Sequence, residues 1–295
     1  MTLAELLEEL PATNLGDLAL PRRLLGAFRR KSITFCDGTT DEQTVVYWFQ
    51  SRTFTIDLRL PDAAATPALL RQGWVGNTVW NQAAGQMSWT IDRSYQLHNQ
   101  WPEPANLSFM GNCVFEFAPS GAYVEDWRQQ SSRGALLGLR LLSMLDDRSG
   151  QTFPMEGGLI LAGEHAAYAQ SRLPLPNDLL QGPASLEQAL TEGIVTEQEI
   201  ESYEVSIATD GDVVTHSTRP DRLGQAVARG DFQLDPDGFI TLSKTICGLP
   251  HRLRFSLDLY VPDFIFDCQT TSTQEAQEWM VREKKHLARH AMIVR

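Results

Sequence analysis

The chain has 295 residues, of which 42% are hydrophobic and 21% charged, a composition typical of a globular protein and unlike that of a disordered one. Its formal net charge of −12 opposes binding to nucleic acid or to an anionic membrane, because like charges repel. No window approaches the roughly 18 apolar residues that a membrane span requires, and residues 1–10 do not have the pattern of a signal peptide. We therefore expect a cytoplasmic protein with four reduced cysteines.

The first 31 residues are predicted to form an N-terminal helical segment. Leucines recur at helical spacing from Leu3 to Leu10, and a second short segment surrounds Leu24 and Phe28. A basic cluster falls in the same region, and we interpret it as the solvated face of a helix. It comprises Arg22, Arg23, Arg29, Arg30 and Lys31.

Residues 32–269 are predicted to form an antiparallel β-barrel domain. Phe54, Ile56, Leu58 and Leu60 alternate with polar residues, which is the pattern of a strand with one apolar face. Further short runs of this kind follow, separated by turn residues such as those of 118–121 and 235–238. Many short strands at nearly regular spacing are typical of a β-sandwich or a barrel.

Helices interrupt and end this β region. A helical insertion is expected at about 173–203, where Ser185 opens one short helix and Thr196, with Glu199 three residues later, forms a capping box. Residues 270–295 read as a C-terminal helix. The fold class predicted is therefore mainly β, an antiparallel lipocalin-like barrel with N-terminal and C-terminal helices.

Ionisable and aromatic side chains share faces of the predicted strands. Asp57 and Arg59 lie on one face, and Tyr123, Glu125 and Trp127 lie on another. One interpretation makes Asp57 and Arg59 a cross-strand ion pair on the solvent side. The other turns them into the barrel lumen, together with a lining of mixed polar and aromatic residues. That lining would comprise Trp48, Asp57, Arg59, Trp89, Glu116, Tyr123, Glu125 and Trp127.

Carboxyl groups in such a lumen suit proton transfer. Partial loss of water among indole rings raises a carboxyl pKa, whereas a nearby arginine lowers it, so that an acid and a base can coexist. His165, beside a hairpin turn, is a further candidate ligand-binding residue. The sequence has no P-loop, nucleophile elbow, dinucleotide-binding glycine motif or zinc-protease motif, and no histidine lies at metal-ligand spacing from a cysteine. No metal or other cofactor is expected.

Four segments together resemble the lipocalin-like (calycin-type) β-barrel proteins, and most closely uncharacterised bacterial members with a tryptophan-rich first half. They are residues 47–60, 73–78 (GWVGNT), 89–92 (WTID) and 123–128 (YVEDWR). The resemblance covers about residues 32–172, and the glycine and tryptophan of the usual lipocalin signature are not in their normal place. It implies a cup for a small apolar or amphipathic ligand. Some relatives of this architecture are cofactor-free cyclases or isomerases.

The function expected from the sequence is binding of a small apolar or aromatic molecule, with conversion by cofactor-free acid–base chemistry of the isomerase, cyclase or lyase type. Glu125 is the expected proton-transfer group, Asp57 a second acid or an orienting group, and Arg59 a charge stabiliser. A non-catalytic carrier or sensor and a protein-interaction module remain alternatives. The sequence leaves the oligomeric state open.

Overall fold

The structure is a computed structural model that describes residues 1–62, 66–97, 103–228, 230–246, 248–266 and 272–290. Its strands fall into two antiparallel sheets. The first is built from β1 Gly26–Phe35, β2 Thr40–Asp41, β3 Val45–Gln50, β4 Phe54–Leu60, β5 Gln72–Asn81, β6 Gln86–Thr90, β7 Ala105–Met110, β8 Cys113–Phe117 and β9 Tyr123–Gln129.

The first sheet closes on itself as an eight-stranded barrel. Neighbouring strands pair in the order β1-β3-β4-β5-β6-β7-β8-β9, and β9 pairs again with β1, while the short β2 extends β1 at one end. Gln129 helps to close the seam, because its side-chain oxygen accepts from the Ala27 backbone N–H and its amide donates to the Leu25 carbonyl. The predicted antiparallel barrel is confirmed.

The later strands form a second, open sheet instead of completing this barrel. Its order is β14-β13-β12-β11-β10-β17-β16-β15. The prediction of one barrel over residues 32–269 is thus wrong in extent, because the β1–β9 pairing leaves the barrel no free edge for another strand. The strands are β10 Arg133–Asp146, β11 Thr152–Ala162, β12 His165–Gln170, β13 Glu204–Ala208, β14 His216–Ser217, β15 Asp231–Leu234, β16 Ile240–Ile246 and β17 Leu249–Ile265.

The helices are short, apart from the last. The N-terminal helix is confirmed only over α1 Leu3–Glu9, where Thr2 and Glu5 form a capping box. Residues 26–31 belong to β1, so the expected second helical segment is wrong in this part. The helical insertion is confirmed as α2 Pro174–Leu179, α3 Leu186–Thr191 and α4 Glu197–Glu201, and the C-terminal helix as α5 Gln274–His290.

The two sheets share one apolar core. Ile56 and Leu58 of β4 belong to the same buried cluster as Val205 and Ile207 of β13. The outer face of the barrel wall at β4 is therefore covered by the second sheet, and both faces of this strand are buried.

No helix among the described residues has both the length and the apolar composition of a membrane-spanning segment. Cys36 and Cys113 are free thiols, and the other two cysteines lie outside the described residues.

Candidate functional site

A cavity of about 70 Å³ lies inside the barrel. Because one water molecule needs only a fraction of this volume, the cavity has room for several waters or for a small organic group. Seven barrel strands and the segment after β6 contribute to its wall. Of the nine site residues predicted from the sequence, the wall includes eight: Trp48, Asp57, Arg59, Trp89, Glu116, Tyr123, Glu125 and Trp127.

Side chains of β9 alternate strictly between the interior and the outer face of the barrel. Tyr123, Glu125 and Trp127 are buried and face the interior, while the residues between them are partly exposed on the outer face. The same pleat turns Asp57 and Arg59 of β4 inward. The interpretation of these two as a solvent-side ion pair is therefore wrong.

Glu116 and Glu125 form a carboxyl pair in this wall. They face each other across β8 and β9, and the Trp127 Nε1–H lies 3.2 Å from Glu116 Oε2 and 3.1 Å from Glu125 Oε2. Tyr123 donates its hydroxyl proton to Glu116 Oε1 at 3.2 Å. Burial and the neighbouring charge of Glu125 raise the pKa of Glu116 to about 8, so Glu116 carries a proton at pH 7.

Glu125 has a cationic partner, whereas Glu116 makes no ion pair within the part of the chain that the structure describes. Arg30 donates from Nη1 to Glu125 Oε1 at 2.6 Å, and from Nη2 to Asp41 Oδ2 at 3.1 Å. The Arg30 guanidinium is itself buried. In this pair Glu116 is neutral, and Glu125 forms an ion pair with Arg30. Two neighbouring carboxyl groups in such different environments can act as an acid and a base in the same site.

Asp57 and Arg59 make a second ion pair in the wall, in which Asp57 is buried and Arg59 is partly exposed. Arg59 Nε donates to Asp57 Oδ1 at 2.9 Å, and Nη2 lies 3.5 Å from Oδ2. Burial raises the pKa of Asp57, and the Arg59 charge opposes that shift. Although burial acts in the other direction, the charges of Asp57 and Glu125 hold the pKa of Arg59 above its usual value.

Tryptophan rings form the apolar part of the wall. Trp48 meets Trp127 edge-on at 5.6 Å and Trp89 edge-on at 6.3 Å between ring centroids, and Trp74 meets Trp89 at 5.8 Å. The Trp89 Nε1–H is buried and has no hydrogen-bond partner among the described residues. Because an unpaired buried donor is costly, this N–H is a candidate contact for an acceptor atom of a ligand.

The sequence analysis missed two important residues of this site. Arg30 was assigned to a solvated helix face, but it lies on β1 and pairs with Glu125. The predicted site also omits Trp74, which lines the cavity. Its alignment with Asp57 across β4 and β5 is the signal that could have found it, since residues directly opposite each other share a face.

His165 does not line this cavity, so its prediction as a ligand-binding residue of the barrel is corrected. It begins β12 of the open sheet, where its Nδ1 lies 3.4 Å from the Ser131 hydroxyl. Burial lowers its pKa. The hairpin that carries His165 falls after the barrel has closed, which is the reason for its different position.

A second cavity, of about 300 Å³, lies between residues 92–97 and the segment around α2. Its buried cation, Arg172, already donates to the carbonyls of Ser94, Tyr95 and Ile200. This guanidinium therefore joins chain segments and is not free to bind a ligand. Within the described residues, no group of three or more His, Cys, Asp or Glu side chains could hold a metal ion.

Comparison of the chain with protein-family models, with the curated proteins and with solved structures finds no match.

Proposed function

We propose that the barrel binds a small organic molecule with an apolar or aromatic body and converts it by acid–base chemistry without a cofactor, as an isomerase, cyclase or lyase. The observation that carries this proposal is the Glu116–Glu125 pair, a protonated carboxyl beside a charged one in the wall of an aromatic cavity. The proposal also places the chain among the lipocalin-like (calycin-type) barrel proteins, on the basis of its closed eight-stranded barrel.

The pair supplies both halves of a proton transfer. Glu116 holds a proton at neutral pH that it can donate to a substrate atom in the cavity. Glu125, held by Arg30, is the carboxylate that can accept one. The Trp127 N–H lies within hydrogen-bond distance of both carboxyl groups. It can therefore donate a hydrogen bond to whichever of the two carries the negative charge. The roles proposed are therefore acid for Glu116 and base for Glu125.

Asp57 and Arg59 have supporting roles in this proposal. The Arg59 side chain is 24% exposed, whereas that of Asp57 is 3% exposed, so the guanidinium is the more accessible member of the pair. A positive group at the cavity wall can stabilise negative charge that develops on a substrate during proton transfer. Asp57 fixes the orientation of Arg59 through its two carboxylate oxygens.

Native mass spectrometry of the purified protein tests the binding step. We expect a small molecule to co-purify with the wild-type chain and with the Glu125→Gln variant, and less of it with Glu116→Gln, which removes the carboxyl group that contacts the substrate in this proposal. Absence of any bound molecule would favour an interaction module, in which the cavity is only a packing feature.

Deuterium incorporation tests the chemical step. When the complex is incubated in D2O, the wild-type protein should exchange a carbon-bound hydrogen of the ligand, or accumulate a deuterated product, and the two glutamine variants should not. Asp126→Asn is the matched control, because it removes a carboxylate from the outer face of the same strand. A ligand that stays bound and unlabelled with every protein would identify a carrier.

A further inference from the structure

We propose that the barrel cavity selects an organic cation, an ammonium-type group with apolar substituents, held beside Glu116 among the tryptophan side chains. The inference rests on the proposed function and names the substrate class of that same site. It depends on three features of the wall: its charge balance, its aromatic lining and the position of the one carboxyl group that makes no ion pair among the described residues.

The buried charges of the wall do not balance. Asp57 is paired with Arg59, and Glu125 is paired with Arg30. Glu116 accepts hydrogen bonds from the neutral groups of Tyr123 and Trp127 and makes no ion pair among the described residues. One buried carboxyl group is therefore left over, and it needs either a proton or an external cation.

Aromatic side chains line the cavity beside this carboxyl group. Trp127 donates to Glu116, Trp48 meets Trp127 edge-on at 5.6 Å, and Trp48 also packs against Trp89. Indole faces carry negative electrostatic potential and attract organic cations, so a tryptophan-rich wall beside a carboxyl group favours a ligand of this class. Glu103, whose carboxylate accepts from Ser120, adds a further negative charge to the wall.

Several ionisable groups surround Glu116 and influence whether its carboxyl group binds a proton or a cation. Glu125 and Tyr123 face it from β9, Arg59 and Asp57 lie on β4, and Arg30 approaches from β1, while β7 presents only Leu107 opposite it. Burial and the charge of Glu125 raise the pKa of Glu116 to about 8. A bound cation restores the balance. A substrate amine that enters uncharged takes the Glu116 proton and becomes the cation, whereas a permanent cation such as choline makes Glu116 release its proton to solvent at pH 7.

Arg59 does not offset this preference. Its guanidinium binds both carboxylate oxygens of Asp57, so the two residues together contribute no net charge. A carboxylate ligand would have to compete with Asp57 for Arg59 while lying close to Glu125 and Glu103. A neutral ligand would leave Glu116 protonated and would bind without proton release.

Choline and its neutral isostere 3,3-dimethylbutan-1-ol are suitable probes, since they differ only by nitrogen for carbon. We expect choline to bind at least tenfold more tightly at pH 7, measured by titration calorimetry and by tryptophan fluorescence. Calorimetry in two buffers of different ionisation enthalpy should show release of about one proton per choline bound. The choline affinity should rise with pH until about 8 and then level off, because Glu116 loses its own proton there.

Glu116→Gln should abolish both the preference for choline and the proton release, since the amide has no charge. Asp126→Asn, which removes a carboxylate from the outer face, should leave both unchanged. Equal affinity for the two probes, including no detectable binding of either, would overturn the cation proposal. The proposed function is judged separately, because a neutral molecule that co-purifies and exchanges deuterium would support it while contradicting this inference.

Discussion

Glu116 and Glu125 lie directly opposite each other on neighbouring strands, within hydrogen-bond distance of the same indole N–H of Trp127. Like charges at such positions are destabilising, and burial increases the cost. The chain accommodates the pair by giving Arg30 to Glu125 and leaving Glu116 to hold a proton. This asymmetry has consequences for stability that can be measured without knowledge of the ligand.

The first prediction concerns pH. The folded chain holds the Glu116 proton up to about pH 8, whereas the unfolded carboxyl group loses it near 4.5. The folded state therefore binds more protons between these values, and the contribution of Glu116 makes the free energy of unfolding fall as the pH rises through them.

Glu116→Gln removes this term, because its side chain stays neutral. Each pKa unit corresponds to about 1.4 kcal/mol. From pH 5 to pH 8 the free energy of unfolding of the wild type should therefore fall by a few kcal/mol more than that of the variant. Urea denaturation at several pH values measures this. Parallel stability curves for the two proteins would show that Glu116 titrates normally.

The second prediction concerns Arg30. Arg30→Met leaves the buried Glu125 carboxylate without its cation, and loss of one partner of a buried ion pair costs about 3–5 kcal/mol. Lys31→Ala, at the next position of the same strand, should change the free energy of unfolding by less than about 1 kcal/mol, as is usual for surface substitutions.

The double variant Arg30→Met with Glu125→Gln should recover much of the loss, since no unpaired charge remains. Chemical denaturation at pH 7 compares the four proteins. If the double variant is as unstable as Arg30→Met alone, the stabilising role of Arg30 lies in packing and not in its charge.

Much of the site could be predicted from the sequence because alternation is a local property. The period of two along residues 53–60 and 123–128 predicts which side chains of β4 and β9 share a face. It does not decide whether the face with Asp57 and Arg59 turns to the lumen or to the solvent. Local pattern also identified the turns and the capping box at Thr196. These features depend only on residues close together in the chain.

Arg30 and the second sheet could not be predicted in the same way. The pairing of β1 with β9 joins residues far apart in the chain, 97 positions in the case of Arg30 and Trp127, and no local pattern encodes it. Without that pairing, the basic cluster resembles an exposed face. The point at which the barrel closes, and hence the position of His165, depends on the same long-range contact.

The third prediction concerns the indole shared by the two glutamates. Trp127→Phe keeps an aromatic ring but removes the N–H that bonds to both carboxyl groups. Hydrogen bonds to charged groups contribute about 1.5–3 kcal/mol, so a loss of that order is expected. Because this bond also lowers the pKa of Glu116, its removal should shift the Glu116 titration to higher pH.

Trp80→Phe is the matched control for this change. The Trp80 N–H donates to the exposed side chain of Gln82 at 2.8 Å, away from the cavity wall. The variant should stay within about 1 kcal/mol of wild type and leave the pH dependence of stability unchanged. An unchanged titration in Trp127→Phe would show that the indole N–H does not stabilise the charged form of Glu116.

The fourth prediction concerns the contact between the two sheets at Gly138 of β10. A Cβ at this position would collide with the Ser51 hydroxyl and lie 2.8 Å from the Ser51 Cβ. That hydroxyl donates to Asp258 Oδ2 at 2.6 Å, so it cannot move without loss of a hydrogen bond. We expect Gly138→Ala to destabilise the fold by about 1–3 kcal/mol through overpacking.

Gly182→Ala is the control, because a Cβ there meets no atom within 4 Å and its backbone angle suits any residue. Ser51→Gly combined with Gly138→Ala should recover part of the stability lost by Gly138→Ala, since the side chain that obstructs the new methyl group is gone. Urea denaturation of the three variants gives the comparison. If Gly138→Ala and Gly182→Ala are equally stable, the sheets do not approach as closely at Ser51 as the geometry requires.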